Sequence, residues 1–177
     1  AIDGAPLAPA LMWRDTSLLA DREWLARATV VTGCGGGSRV RDMLAPLMAI
    51  APRLVIDADA LNALADDPSL ARLAARRAGK GMETVLTPHP LEAARLLGLP
   101  DARAVQAGRL HAPRHLAQRY GAVVALKGSG TVIDDGATAP WVNASGNALL
   151  ATAGTGDVLA GWIGGLWSSC RASVKGT

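Results

Sequence analysis

Residues 28–62 read ATVVTGCGGGSRVRDMLAPLMAIAPRLVIDADALN. The stretch opens on a β-branched run, Ala28 to Thr32, that stops at Gly33-Cys34-Gly35-Gly36-Gly37. A segment of helical period follows from Ser38 towards Ile50, with Pro46 inside it. A second apolar run, Arg53 to Ile56, then meets Asp57-Ala58-Asp59. Short β-branched runs joined through a glycine turn and a helical pattern form a strand–helix–strand unit, and such units build a parallel sheet covered by helices. Asp57 and Asp59, with Asn62 close by, suit either the start of the next helix or polar contacts to a ligand.

The same rhythm continues outward. Pro68-Ser69 restarts a helix through Arg77, and Glu83 to Leu86 forms a further strand that stops at Thr87-Pro88-His89-Pro90. Pro90 and Glu92 open a helix to Leu97, closed by Gly98. Ala104 to Tyr120 is the longest helix candidate, kinked or broken at Pro113 and ended by Gly121. The strand Ala122 to Leu126 runs into Lys127-Gly128-Ser129-Gly130. Thr131 to Ile133 and Trp141-Val142 read as a hairpin around Asp134-Asp135-Gly136. A loop rich in Gly, Ala, Ser and Thr spans Asn143 to Gly156, and Asp157 leads an apolar helix towards Trp167. The expected fold class is α/β: a three-layer architecture with a mostly parallel sheet and helices on both faces. The strands at Ala28 to Thr32, Arg53 to Ile56, Glu83 to Leu86 and Ala122 to Leu126 are expected parallel, their carboxyl ends on one side.

Composition bounds the rest. The chain has 177 residues, 50% hydrophobic and 19% charged, which excludes a disordered chain. Lys plus Arg exceed Asp plus Glu by 18 − 15 = 3, and the basic residues are mostly single arginines, so no nucleic-acid footprint is expected. Cys34 and Cys170 match no metal or redox spacing and no secretory leader opens the chain, which reads as a reducing, cytoplasmic setting. No uncharged apolar run reaches the roughly 18 to 20 residues of a spanning helix. With five Trp, one Tyr and no Phe, the core must be Ala, Leu, Val and Ile. No repeat or linker divides residues 1–177, which read as a single, incomplete domain. No strand precedes Ala28 and no helical pattern runs from Ser168 to Thr177. The poorly covered sheet edges that follow predict a homo-oligomer.

The loops at the carboxyl ends of strands are where open α/β sheets bind ligands. In Gly154-Thr155-Gly156-Asp157, glycines ahead of a helix let amides approach a phosphate, and the helix N-terminus adds roughly half a positive charge. Asp157 is equally a routine cap; what shifts the balance is the company of Asn143, Ser145, Gly146, Asn147, Thr152 and Thr155. Lys127-Gly128-Ser129-Gly130-Thr131 offers an ammonium, glycines and hydroxyls to a nucleotide's phosphates, without the Walker order. A hairpin turn with a solvated lysine is the plainer reading. In Thr87-Pro88-His89-Pro90-Leu91-Glu92 the prolines stiffen the backbone and aim the imidazole. Glu92 suits a Mg²⁺ water shell, or simply the helix dipole.

Taken in order, Val55-Ile-Asp-Ala-Asp-Ala-Leu-Asn62, Thr87-Pro-His-Pro-Leu-Glu92, Lys127-Gly-Ser-Gly-Thr-Val-Ile133, Asn143-Ala-Ser-Gly-Asn147 and Ala153-Gly-Thr-Gly-Asp-Val-Leu-Ala-Gly161 closely resemble the ADP- or ATP-dependent NAD(P)H-hydrate dehydratases of the ribokinase-like superfamily. The resemblance runs from about Val30 to Leu166. It implies a cofactor-repair enzyme that uses ADP or ATP with Mg²⁺ to drive water from NAD(P)H hydrate. It further implies that Lys127, Gly128, Ser129, Gly130, Thr131 and Gly156 hold the nucleotide, while Gly37, His89 and Asp157 face the hydrate. Asp157 would be the catalytic base, and Glu92 a Mg²⁺ organiser acting through water. Two departures stand out: Gly33-Cys34-Gly35-Gly36-Gly37 where the family tends to Gly-Pro-Gly-Leu-Gly, and Leu91 for a frequent Gly. The family domain is also longer at both ends. Alternatives are a ribokinase-like small-molecule kinase of the hydroxymethylpyrimidine or thiazole type, and a non-catalytic nucleotide-binding remnant.

Overall fold

The computed structural model describes residues 15–170. A 3-10 turn, Thr16–Ala20, and α1 (Arg22–Leu25) precede β1 (Thr29–Thr32); α2 (Val40–Ile50), β2 (Arg53–Ile56), α3 (Ala58–Asp66) and α4 (Pro68–Ala75) follow. Next come β3 (Glu83–Leu86), α5 (Pro90–Leu97), α6 (Ala102–Ala107), α7 (Ala112–Tyr120), β4 (Val123–Leu126), β5 (Val132–Asp134), β6 (Trp141–Val142) and α8 (Thr155–Ser169). The six strands form one sheet in sequence order. β1 to β4 are parallel, and β5 and β6 are added antiparallel. The strand expectations therefore hold to within a residue at their ends.

The pleat sends alternate residues to opposite faces, and the two faces are covered unequally. Leu54, Ile56, Leu86, Val124 and Leu126 point into the buried cluster they share with α2, α3, α4, α5 and α7. Val31, Val55 and Ala125 belong to the opposite face. There α8 packs so closely that a Cβ on Gly164 would stand 2.4 Å from Val31 Cγ2. Helices thus lie on both faces as expected, but among the described residues α8 alone serves the second. Val123, Ile133 and Trp141 on that side stay exposed, as do Val158, Trp162 and Leu166 of α8.

Two helix expectations are corrected. Ala104 to Tyr120 is not one helix broken at Pro113: α6 ends at Gly108 and α7 starts at Ala112. Glycine is a poor helix former, whereas Pro113 falls in the first turn of α7, where a missing N–H costs little. Helix α8 begins at Thr155, two residues before Asp157, and continues through Ser168 to Ser169. The rest of the carboxyl-terminal segment read as non-helical, 171–177, and most of the segment ahead of Ala28 that was read as strandless, 1–14, lie outside the described residues.

At the amino ends of the strands, Arg77 is buried to 1% exposure. Its guanidinium donates to Met48 O (2.6 Å), Ala51 O (2.9 Å), Glu83 O (3.0 Å) and Thr84 Oγ1 (2.8 Å). These bonds tie the end of α2 to β3, where the last carbonyls of a helix need donors. Burial lowers its pKa to about 10, which leaves it charged at neutral pH.

Candidate active site

The opposite ends of the strands bring the candidate residues together. Asp57 N donates to Thr32 O (3.0 Å), Thr87 N to Ile56 O (3.2 Å) and Lys127 N to Pro88 O (2.8 Å). Each loop therefore starts by extending the ladder of the strand beside it. Asp57 and Lys127 are the first residues past β2 and β4, and their parity with Val55 and Ala125 directs both side chains to the α8 side. They meet there: Lys127 Nζ lies 2.6 Å from Asp57 Oδ1, with Asp57 1% and Lys127 19% exposed at the side chain.

Asp57 is the N-cap residue of α3, yet its side chain makes no capping bond, because the carboxylate is spent on Lys127. Ala58 carries φ +46°, a left-handed conformation that costs a non-glycine residue about 1–2 kcal/mol. Across this strained turn, Asp57 points to Lys127 while Asp59 Oδ2 accepts from Gly37 N at 2.8 Å. Gly33 is required beside it: its φ is +115°, and a Cβ would fall 1.7 Å from Asp57 O.

Glu92 enters from α5. Its Oε2 lies 4.0 Å from Lys127 Nζ and accepts from His89 N at 2.7 Å. His89 Nδ1 accepts from Leu91 N (3.1 Å) and Glu92 N (3.2 Å), completing a capping box. This leaves the imidazole proton on Nε2, 3.2 Å from Glu92 Oε1. His89 is thus the N-cap of α5, a role its flanking prolines do not announce, and the same bonds fix the ring with about half of it, 47%, facing solvent.

Helix α8 closes the site from above. A Cβ on Gly156 would stand 3.3 Å from Lys127 Nζ, so the helix start rests on the ammonium. The N-cap is Gly154, φ +86°, with no side-chain cap. Asp157, exposed, does not serve as that cap; a carboxylate oxygen of it, Cys34 Sγ and an oxygen of Asp57 all lie within 4.8 Å of one another. Burial, then Asp57 and then Asp157, push the Cys34 thiol up to about 11, against a smaller opposite pull from Lys127.

Lys127, Gly156, Asp157, His89 and Glu92 thus converge on one end of the sheet, with Gly37 joined through Asp59. In the Lys127–Thr131 loop, Thr131 Oγ1 donates to Gly128 O at 3.2 Å and Ser129 is exposed. Three contributors escaped the sequence reading. Asp57 was ambiguous there, Cys34 matched no spacing, and Arg109 lay inside the supposed long helix. In the structure Arg109 donates to the carbonyls of Leu126, Lys127 and Gly130.

A family model described as NAD(P)H-hydrate dehydratase matches residues 8–176. The ADP-dependent (S)-NAD(P)H-hydrate dehydratase of Neisseria meningitidis serogroup B is 44% identical over 160 residues, 89% of this chain and 52% of that protein. The solved structure of the ADP/ATP-dependent NAD(P)H-hydrate dehydratase from Bacillus subtilis, co-crystallized with ATP/Mg²⁺ and soaked with CoA, superposes with a TM-score of 0.62 at 27% identity, covering 85% of this chain and 55% of that one. A ribokinase-like superfamily protein from Enterococcus faecalis gives 0.67 at 25% identity, over 87% and 52%. The chain spans about half the length of these relatives. With its motifs in order and its strand ends converging as described, the chain belongs to the NAD(P)H-hydrate dehydratase family and has that family's ribokinase-like α/β fold.

Proposed function

We propose that the chain carries out, within one domain, the nucleotide-dependent dehydration of NAD(P)H hydrate, with ADP or ATP as phosphoryl donor and Asp157 as base. The observation that carries this reading is the pair of buried Asp57 and part-buried Lys127, backed by Glu92 and lying directly beneath the first turn of α8. An ammonium held in place beside a helix N-terminus is suited to phosphate oxygens and to the charge of a transferring phosphoryl group.

In this reading the loop 127–131 and Gly156 hold the nucleotide, while Gly37, His89 and Asp157 face the hydrate. Asp157 takes the proton of the hydrate's hydroxyl as that oxygen bonds to the terminal phosphorus and the shortened nucleotide leaves. Phosphate then departs from that ester with the C–O electron pair, the ring nitrogen supplying electrons, and loss of a proton from the adjacent carbon restores the double bond. The carboxylates of Asp57, Glu92 and Asp157 outnumber the single ammonium of Lys127, so the ligand-free site carries negative charge that a hard divalent cation would balance. Both oxygens of Glu92 are engaged by His89, which suits Mg²⁺ held through water rather than directly. When bound, Mg²⁺ would neutralise phosphate charge and orient the terminal phosphoryl group.

Among the described residues no helix is long and apolar enough to cross a membrane, and a cytoplasmic setting, alongside the nucleotide and nicotinamide pools, is part of the proposal. So is self-association through the apolar side of α8, which sedimentation of the purified chain tests. The reaction itself is tested by adding NADH hydrate, ADP or ATP and Mg²⁺ and following recovery of reduced-nicotinamide absorbance. A phosphorylated product accumulating without that recovery would reveal a kinase. Nucleotide binding with neither recovery nor a phosphorylated product would reduce the chain to a non-catalytic nucleotide-binding remnant.

A further inference from the structure

We propose that Arg109 is the positioning residue of the phosphate loop: by drawing the carbonyls of Leu126, Lys127 and Gly130 to one side, it turns the amides that follow them to the other. The inference rests on the nucleotide reading of residues 127–131. Arg109 stands in the turn between α6 and α7. Its Nη2 lies 3.4 Å from Leu126 O, 3.2 Å from Lys127 O and 3.1 Å from Gly130 O, and its Nε lies 3.4 Å from Gly130 O. Gln106 Oε1 steadies Nη1 at 3.0 Å.

A trans peptide is planar, with its N–H directed opposite to its C=O. Anchoring Lys127 O and Gly130 O on the guanidinium therefore aims the amides of Gly128 and Thr131 away from it. Among the described residues, no backbone acceptor pairs with the amides of Gly128, Ser129, Gly130 or Thr131. Successive outward amides in a loop with left-handed residues make a concavity for an anion, and Gly128 and Gly130 have φ of +133° and +63°. The wrap is tight: a Cβ on Gly128 would stand 2.9 Å from Arg109 Nη2. Lysine cannot replace this fork, since an ammonium is a point charge on a shorter reach without the planar spread of donors.

Arg114 provides the contrast. It donates to Asp134 Oδ2 at 3.2 Å and to Thr138 O, pinning the hairpin without touching the phosphate loop. Titration calorimetry with ADP–Mg²⁺ and ATP–Mg²⁺ on the full 177-residue chain, Arg109→Lys, Arg109→Met and Arg114→Met separates positioning from general stability. The Arg109 variants should bind nucleotide about tenfold or more weakly, the ratio lost with a charge-assisted hydrogen bond. Arg114→Met should bind like the wild type even where its melting temperature falls. If Arg109→Met folds too poorly to titrate, Arg109→Lys decides, because it keeps the charge and the stem. Wild type binding nucleotide with Arg109→Lys within about twofold of it would overturn the inference and leave the nucleotide reading standing. A wild type that binds neither nucleotide would end both.

Discussion

Asp57, Lys127 and Glu92 stand on the ends of buried strands and on a capped helix, whereas Asn143 to Gly154 reach the same end of the molecule as an exposed segment bonded mainly to itself. In the first half every carboxylate and the ammonium have a partner from another element. In the second, Asn143 accepts from Ser145, Asn147 from Leu149, and Thr155 donates to Leu150 O and Thr152 O. The folding free energy of the core fixes the first half before any ligand arrives. The second has no such support and gains order only from the start of α8 or from what binds. A site divided this way can hold its charges rigid while its cover adapts to the ligand.

The sharpest way to break this division is at Asp157, which joins the two halves. Asp157→Asn should leave nucleotide binding and stability nearly intact, because the helix is capped at Gly154 and not by this side chain. Turnover should fall by about 10²- to 10⁴-fold, since an amide cannot take the hydroxyl proton. Rate measurements under saturating nucleotide read the effect directly. A near-normal rate would leave the mechanism without its base.

Lys127→Ala attacks the rigid half. It strands Asp57 and Glu92, whose side chains are 1% and 6% exposed, without their counter-charge. Breaking a fully buried pair costs about 3–5 kcal/mol; with Lys127 part-exposed the loss should lie below that range, read by urea unfolding of the ligand-free chain. The nucleotide-dependent rise in melting temperature should disappear as well. Adding Asp57→Asn to Lys127→Ala should recover part of the stability, because the stranded charge is then gone. A Lys127→Ala chain as stable as the wild type would show that the pair is not what holds this half together.

The rigid half is also the legible half. The buried runs Arg53–Ile56 and Glu83–Leu86 and the helix Pro90–Leu97 can be read to the residue, because β-branched blocks, Pro-initiation and a closing Gly98 are all local signals. His89 and Glu92 follow from their place just past Glu83–Leu86, and Lys127 from its place just past Val123–Leu126. Pairing is not local: Lys127 meets Asp57 across 70 residues, and nothing in the Val55–Asn62 motif says that its aspartate serves a lysine and not a helix cap. Arg109 was hidden for a related reason. Its neighbourhood keeps helical period through Gly108, so the turn that frees its side chain to meet Gly130, 21 residues on, has no signature of its own. The family resemblance pointed to the candidate residues, while the contacts among them came from tertiary packing.

A third experiment sharpens the contrast without mutation. Nucleotide at about 100 times its Kd is worth about 2.7 kcal/mol, and that energy should be distributed unevenly. Amide exchange should slow most in the 143–157 segment, by up to about a hundredfold. Little change is expected in Leu54–Ile56 and Val124–Leu126, which are already buried in the sheet. Equal slowing in both regions would mean that ligand stabilises the whole chain uniformly, and the division would fail.

The smallest expected effect concerns Cys34, which stands at the junction. With burial, Asp57 and Asp157 raising its thiol to about 11 from an ordinary 9.0, the folded state prefers the protonated form. The stability that this preference contributes is fully present below pH 9.0 and is lost as pH rises towards 11. Because the thiolate is the reactive species, iodoacetamide at pH 8 should label the exposed Cys170 well before Cys34, as mass spectrometry would read. Labelling of Cys34 should catch up as the pH climbs. Asp157→Asn removes one of the negative charges facing the sulfur and should bring Cys34 labelling to lower pH, while the desolvation and the Asp57 contribution remain. Equal labelling of the two cysteines at pH 8 would mean that Cys34 does not face the carboxylates, and the α8 start would then sit further from the strand ends than the 4.8 Å cluster of Cys34, Asp57 and Asp157 requires.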